Sequence, residues 1–467
     1  MSIQIVQENI PYSIETLADI LNVGQSKLRL TIDSLLKCSV LRVATRIEEY
    51  DLDDLVDCSS LINNHNPNDL YSFRYVGVLV INETIVFVYP KYIRHPESDR
   101  YHGFVKFKQV LSVIAKYNHS NQSLLSSFVV NDAISNPLSL AIGLLNNFYE
   151  NGLYANEKTV LNVSGDGEIH WDSTIGYFDP VISDESIVYL DFVKSNLTSE
   201  INDYFRKLHA CILTQCSKEF KELFSILNLP MANLSNHRLS DFGDLQTIKY
   251  RLDSELGQQF VTYRQEILSL MIGYIESKSS INNFQNQPLY GTNSFNLVWE
   301  DVCKFVYDDA LDRKLADVGL HYDVLNPKVY TLRDCIDKTV WKSKNIGQQV
   351  QARNTLIPDI VSVEPGTLSI YDAKYYNFKF SENYIKSAPG IGSITKQYLY
   401  EVAYKRLSEE NRLRITRNAF LFPSDESCDE LIGSVEFPIF SYLDSGLHEI
   451  ELIYKSCALA FDEYLNG

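Results

Sequence analysis

The residues best equipped for chemistry lie at 355–380, in TLIPDIVSVEPGTLSIYDAKYYNFKF. Asp359 follows Pro358 at the start of one β-branched run, and Asp372 and Lys374 stand two apart at the end of the next. Glu364-Pro365-Gly366-Thr367 between them reads as a tight turn, so a two-stranded hairpin is expected. Side chains alternate along a strand, which puts Asp372 and Lys374 on one face. Two carboxylates at the ends of paired strands can hold a hard divalent ion through oxygen, while the ammonium orients or helps deprotonate an attacking water. The same ion offsets phosphate charge; without it the carboxylates would repel a nucleic-acid backbone. The chemistry expected is metal-assisted hydrolysis of a DNA phosphodiester.

This is the PD-(D/E)XK spacing. The bare formula is short and could equally be an Asp-Lys surface pair on an ordinary hairpin, but its surroundings favour a site. Residues 321–400 hold ten Lys and Arg against seven Asp and Glu, a local charge of +3 in a chain of −18. Upstream, FNLVWEDVCKFVYDDAL (295–311) reads as a helix with the stripe Val298, Val302, Phe305, Val306, and Glu300 at its edge could supply a further acid. Downstream, in GSITKQYLYEVAYKRL (392–407), Gln397, Tyr400, Glu401 and Tyr404 fall at helical spacing, opposite Tyr398 and Val402. That stripe suits packing over a site, with an exposed helix face as the bland alternative. Lys396 and Gln397 are second-tier candidates for phosphate and active-site hydrogen bonds.

The elements that must position these residues can be read coarsely. Ile14, Leu17, Ala18 and Leu21 mark one helix; Leu28, Ile32, Leu35 and Leu36 mark a second, with Lys27 and Arg29 exposed near its start. LADILNVGQSKLRLTIDSLL resembles the winged-helix families, in which the second helix enters the major groove. Residues 1–46 hold five basic and four acidic side chains, so contact with DNA and contact with protein both stay open. Residues 73–93 read as a buried strand pair around Asn82-Glu83-Thr84, and residues 103–152 as helical. His170 and Trp171, after the turn of GDGEIHWDSTI, are expected in a strand, and 186–277 as long helices such as Phe205–Leu227 and Leu245–Ile275. The Ser-, Asn- and Gln-rich stretch 278–294 is the expected linker. The resulting scheme is an α/β multidomain chain: a winged-helix-like module (1–65), a β-rich and helical domain (66–185), a helical connector (186–280) and a PD-(D/E)XK nuclease α/β core (290–467).

Composition and absent motifs narrow the function. At 467 residues and 45% hydrophobic content, several packed domains are expected. The charge of −18 argues against a protein that coats nucleic acid or an anionic membrane with its whole surface, so DNA contact should be local, and weak and salt-sensitive for the chain alone. No basic start followed by an apolar run resembles a secretory leader, and no apolar stretch approaches the ~20 residues of a membrane span, so the cytoplasm is the expected place. The eight cysteines lack CxxC spacing, as expected of reduced thiols. There is no GxxxxGK[ST], GxGxxG or GxSxG, and His448-Glu449 lacks the second His of a zinc protease.

FRYVGVLVI with VYPKYI, GDGEIHWDSTI, VWEDVC, PDIV with YDAKYY, and ITKQYLYEVAY, in this order, resemble the LlaJI-type restriction endonucleases, which are similar to McrC, the nuclease subunit of modification-dependent restriction complexes. The resemblance spans about residues 70–440. It implies DNA cleavage in defence against foreign DNA, with double-stranded DNA and a separate McrB-like AAA+ GTPase as partners. By motif it makes Asp359, Asp372 and Lys374 catalytic, with Glu300 beside them. Related nucleases carry QxxxY after the hairpin, whereas here Gln397 is followed by Tyr400 and Tyr404, which leaves a Gln397 role open. The reaction expected is direct attack of metal-activated water, leaving 5'-phosphate and 3'-hydroxyl ends. Asp359, Asp372, the Ala373 carbonyl and Glu300 would hold Mg²⁺, with Mn²⁺ as substitute. The rival reading is a non-enzymatic DNA-binding regulator or assembly subunit with an inactive nuclease fold.

Overall fold

The computed structural model describes residues 2–44, 70–81, 84–125, 137–163, 166–183, 186–199, 203–279, 289–344, 349–380, 385–443 and 446–467. The chain divides into two compact units, Met1–Val129 with Tyr290–Gly467, and Val130–Leu289.

In the first unit, β1 (Ser2–Gln7) leads through β2 (Pro11–Ser13) into helices α1 (Ile14–Leu21) and α2 (Gln25–Lys37), then β3 (Leu41–Ala44) and β4 (Leu70–Phe73). The Ser13 hydroxyl caps α1, and Leu17 and Leu21 of α1 with Leu28, Ile32 and Leu35 of α2 are buried. Strands β2, β4 and β3 make a three-stranded antiparallel sheet beside these helices. Lys27 and Arg29 are exposed. The strand pair read at 73–93 is β5 (Val76–Ile81) and β6 (Thr84–Tyr89), both buried throughout. Asn82 and Glu83 lie outside the described residues. With β1 parallel to β6 and β7 (Leu289–Thr292) beside β5, the order is β1-β6-β5-β7. Gly77 and Gly291 let β5 and β7 approach closely, since a Cβ on Gly77 would sit 2.3 Å from the Tyr290 carbonyl.

Helix α3 (Val105–Leu125) packs on α4 (Phe295–Val306) and on α6 (Cys457–Asn466). These helices accompany a five-stranded sheet built from β8 (Ile360–Glu364), β9 (Thr367–Ala373), β10 (Arg414–Ser424), β11 (Glu430–Val435) and β12 (Ile450–Ser456), in the order β8-β9-β10-β12-β11. The β8/β9 pair is antiparallel, β9/β10 and β10/β12 are parallel, and β11 closes the sheet antiparallel to β12. The parallel β9/β10 pair requires a long crossover, supplied by α5 (Ile391–Glu410). Leu368 and Ile370 of β9 pack with Tyr400, Tyr404 and Leu407 of α5, and Phe420 and Phe422 of β10 join Tyr398 in a neighbouring cluster. On the α4 side the buried Trp299 indole donates to the Leu421 carbonyl at 3.3 Å.

The second unit contains helices Pro137–Asn151, Tyr204–Glu219, Lys221–Leu227, Leu245–Leu256 and Thr262–Ser279. It also holds the antiparallel sheet of Glu157–Asn162, Lys194–Ser199 and Glu168–Ile169, and the hairpin Val181–Ser183 with Ser186–Val188. Three expectations change here. Residues 186–188 and 194–199 are strands rather than helix, their β-branched content pairing with earlier strands. Both long helices are broken, one at Phe220 and the other between Leu256 and Thr262. His170 and Trp171 do not continue a strand: His170 caps the helix Trp171–Tyr177, its ring nitrogen accepting from the Ser173 amide. Cys211 and Cys216 are helical, as the helix read over Phe205–Leu227 implies, and they are buried. Among the described residues the cysteines are free, and no helix is long and apolar enough to cross a membrane.

Candidate active site

The hairpin forms as read. Pro365 and Gly366, the latter at φ +80°, make the turn, a combination suited to type II geometry because only glycine adopts that φ without strain. The pairing Ile360↔Tyr371 brings Asp359, one residue further out, beside Asp372. The Asp359 carboxylate accepts the Ala373 amide at 3.0 Å and shares a hydrogen bond with Asp372. Lys374 Nζ lies 3.1 Å from Asp372 Oδ2, and the Lys374 backbone N–H donates to Leu421 at 2.9 Å. Three residues separated by up to 15 positions are thus fixed by one ladder and its neighbour β10.

The electrostatics of this cluster are unbalanced. Burial, then the hydrogen bond and charge of Asp372, then Glu300, push the Asp359 carboxyl well above the usual carboxylate range, with Lys374 opposing. Two close carboxylates cannot both ionise cheaply. Among the described residues no group of three or more His, Cys, Asp or Glu side chains gathers in metal-holding geometry. The cluster does fit a hard cation that keeps most of its waters: two carboxylates with surplus negative charge and an adjacent backbone carbonyl are the donors Mg²⁺ takes.

Glu300 stands on α4 near enough for its charge to act on Asp359, and its side chain pairs with Lys304 at 2.6 Å. Burial would lower the Lys304 ammonium, but Glu300, Asp359 and Asp309 outweigh it and raise it. Lys304 was missed in the sequence; its i, i+4 spacing from Glu300 was the available signal. Asp309, also missed, accepts the Val361 amide at 2.9 Å, and Ala310 N–H donates to the Val361 carbonyl at 2.8 Å. This loop fastens the outer edge of β8.

Helix α5 packs by the stripe read as suited to lie over a site, and Tyr398, read on the opposite side, is buried as well. The polar and aromatic stripe is the buried face, with Gln397 and Tyr404 at 0%, Glu401 at 2% and Tyr400 at 7% exposure, while Val402 is exposed. The stripe is tolerated inside because β10 presents matching polar groups. Gln397 Nε2 donates to the Ala419 carbonyl at 3.4 Å, one strand over from Asp372, and Lys396 is exposed. Tyr400 lies within the field of both carboxylates. Its hydroxyl donates to the Ile357 carbonyl at 2.8 Å, and burial followed by the charges of Asp372 and Asp359 raises its pKa. Tyr400 therefore holds the strand entry that carries Asp359.

Residues 75–456 match the family described as LlaJI restriction endonuclease. The chain is similar to the type II restriction enzyme BsuMI component YdjA of Bacillus subtilis (strain 168), 28% identical over 427 residues, covering 88% of this chain and 84% of the relative. Among solved structures it is similar to a chain of the refined half-complex from the tetradecameric assembly of Thermococcus gammatolerans McrB AAA+ hexamers with bound McrC, at 11% identity and TM-score 0.38, covering 100% of this chain and 99% of that one. A second similarity, to the cryo-EM structure of the Thermococcus gammatolerans McrBC complex, has 11% identity and TM-score 0.27 over 64% of this chain and 85% of that one. The family match opens at Tyr75, just before β5, and closes at Ser456, the last residue of β12, so it takes in the whole five-stranded sheet and the hairpin: the chain belongs to the LlaJI restriction endonuclease family.

Proposed function

We propose that this chain is the DNA-cleaving subunit of a restriction system and that it hydrolyses phosphodiesters with a divalent ion at Asp359 and Asp372. The observation that carries the reading is the juxtaposition of these carboxylates at the end of a hairpin, with Lys374 3.1 Å from Asp372, in a restriction endonuclease family. The hairpin followed by a helical crossover into a parallel strand supports a PD-(D/E)XK core, and the two helices beside a three-stranded sheet support a winged-helix-like N-terminus.

Asp359 and Asp372, with the Ala373 carbonyl, would hold Mg²⁺ or Mn²⁺. When bound, such an ion lowers the pKa of a water and neutralises charge on the phosphate. Lys374 orients the attacking water and stabilises the negative charge that grows on phosphate oxygen. Water oxygen bonds to phosphorus, the bond to the 3' oxygen breaks, and that oxygen takes up a proton, leaving 5'-phosphate and 3'-hydroxyl ends. Glu300 is assigned a water or a second ion, reached when Lys304 is drawn toward the DNA. Gln397 is assigned to holding α5 on β10.

A separate AAA+ GTPase is the proposed partner. The chain carries no GxxxxGK[ST], its family resemblance implies such a subunit, and the Bacillus relative is named as one component of its enzyme. The charge of −18 supports loading of DNA by a partner, since the chain alone should bind DNA weakly. The test is cleavage of phage or methylated DNA with Mg²⁺, with and without the neighbouring GTPase, by wild type, Asp359→Ala and Lys374→Ala. Loss of cutting in both variants is expected; undiminished cutting by both would overturn the assignment.

A further inference from the structure

Lys374 is followed by Tyr375, whose side chain leaves the sheet and is 4% exposed. Its hydroxyl donates to Glu8 Oε2 at 2.6 Å, across 367 positions of sequence. The Lys91 backbone N–H donates both to that Glu8 oxygen and to the Tyr375 hydroxyl, each at 3.3 Å. Lys91 Nζ lies 4.3 Å from the centre of the Tyr375 ring, and the Phe295 ring packs at 5.1 Å. Glu8 is itself fixed, because its backbone N–H donates to the Tyr89 carbonyl at 2.9 Å. The Gln7 side-chain Nε2 next to it donates to the Ile93 carbonyl at 2.6 Å and holds the loop that carries Lys91. A buried carboxylate is a costly way to fill space, and an apolar pair of similar volume would close the same gap as well or better. What the carboxylate adds is direction: it fixes where the Tyr375 hydroxyl points and, through the peptide bond, the backbone from which Lys374 projects.

We propose that Glu8 and Tyr375 are a positioning pair, by which the N-terminal strand sets the Lys374 side chain against Asp372 and the reacting phosphate. The inference rests on the active-site reading above. Neither residue touches the phosphate or the ion; both act through the Lys374 backbone. The nuclease site is then built from distant parts of the chain, with the residue that follows β1 supplying an anchor that the hairpin lacks.

The test uses the full chain, with its GTPase where cutting needs it, and the variants Tyr375→Phe and Glu8→Ala. Cleavage is measured against DNA concentration, Mn²⁺ affinity of the DNA-free protein by calorimetry, and melting temperature by scanning calorimetry. Expected is a 10- to 100-fold loss of kcat, of the order seen when a catalytic group is misplaced by about an ångström. KM and Mn²⁺ affinity should stay within about twofold and melting within a few degrees. Cutting within about twofold of wild type in both variants would overturn the proposal. So would a kcat loss that arrives with a tenfold loss of Mn²⁺ affinity or a collapse in melting temperature, because those mark a merely structural role. Asp359→Ala run alongside separates the two levels. If it cuts like wild type, the active-site reading has failed; if it is inert while Tyr375→Phe and Glu8→Ala are normal, only the positioning pair has.

Discussion

Asp359 and Glu401 are carboxylates held against the same five-stranded sheet, one at the open end of the hairpin and one in the middle of α5, and their surroundings differ in kind. Glu401 accepts from Asn418 Nδ2 at 2.9 Å on Oε2 and from the His448 backbone N–H at 3.2 Å on Oε1, and His448 Nδ1 lies 2.5 Å from the same Oε1. Asp359 accepts one amide and otherwise meets Asp372 and the field of Glu300, which Lys374 offsets only in part. A satisfied buried acid stabilises its fold, whereas an acid crowded by another acid costs stability until something positive joins it. A surface recess of about 400 Å³ lies on the Glu401 side, lined by Arg417, Asn418 and His448 among others, and it includes neither Asp359 nor Asp372. The recess and the charge imbalance thus lie in different places, and the proposed site follows the charge imbalance at the hairpin.

The comparison breaks most visibly in catalysis. Asp359→Ala and Asp372→Ala are each expected to lower the single-turnover cleavage rate by about a thousandfold or more, and Lys374→Ala by about 10²–10³, while Glu401→Ala stays within a few-fold. In stability the order reverses. Glu401→Ala leaves Asn418 and His448 donors without their acceptor and should cost about 2–4 kcal/mol in urea unfolding. Removing the Asp359 charge should help instead. In chelator-treated protein, Asp359→Asn is expected to exceed wild type by about 1–2 kcal/mol at pH 8. The sign follows from linkage: a carboxyl whose folded pKa is raised binds more protons folded than unfolded, so wild type loses stability as pH rises above about 4 toward the raised value. The advantage of Asp359→Asn should therefore shrink toward pH 4, and an advantage that grows on acidification would contradict it. The smallest effect is expected from Tyr400→Phe, which frees the Ile357 carbonyl: about 1 kcal/mol in stability and a few-fold in rate, read in the same two assays.

The hairpin was legible because its information is local. Pro365-Gly366 sets the turn and strand alternation sets the register, so the meeting of Asp359 with Asp372 follows from residues 14 positions or fewer apart. On α5 the stripe was legible as a packing face but its partners were not, because Ala419, Ile357 and Asn418, which receive Gln397, Tyr400 and Glu401, come from elsewhere in the sequence. In α4, Val298 and Val302 are buried as read, but Trp299 and Cys303 join them while Phe305 is 42% exposed, since the helix is covered by α3 and α6 from distant sequence. The strand Lys194–Ser199 was hidden for the same reason, its partners lying well earlier in the chain, whereas Ser186–Val188 forms a local hairpin with Val181–Ser183. The link from Glu8 to Tyr375 leaves no trace in periodicity or motif and emerges only once β1 is placed beside β6.

The central claim is that the hairpin carboxylates form an ion site and the α5 carboxylate does not. Calorimetric titration of Mn²⁺ into the DNA-free chain tests it most directly. The prediction is a saturable site in wild type that persists in Glu401→Ala and is lost in Asp372→Ala; unchanged binding in Asp372→Ala, or no site in wild type, would contradict it.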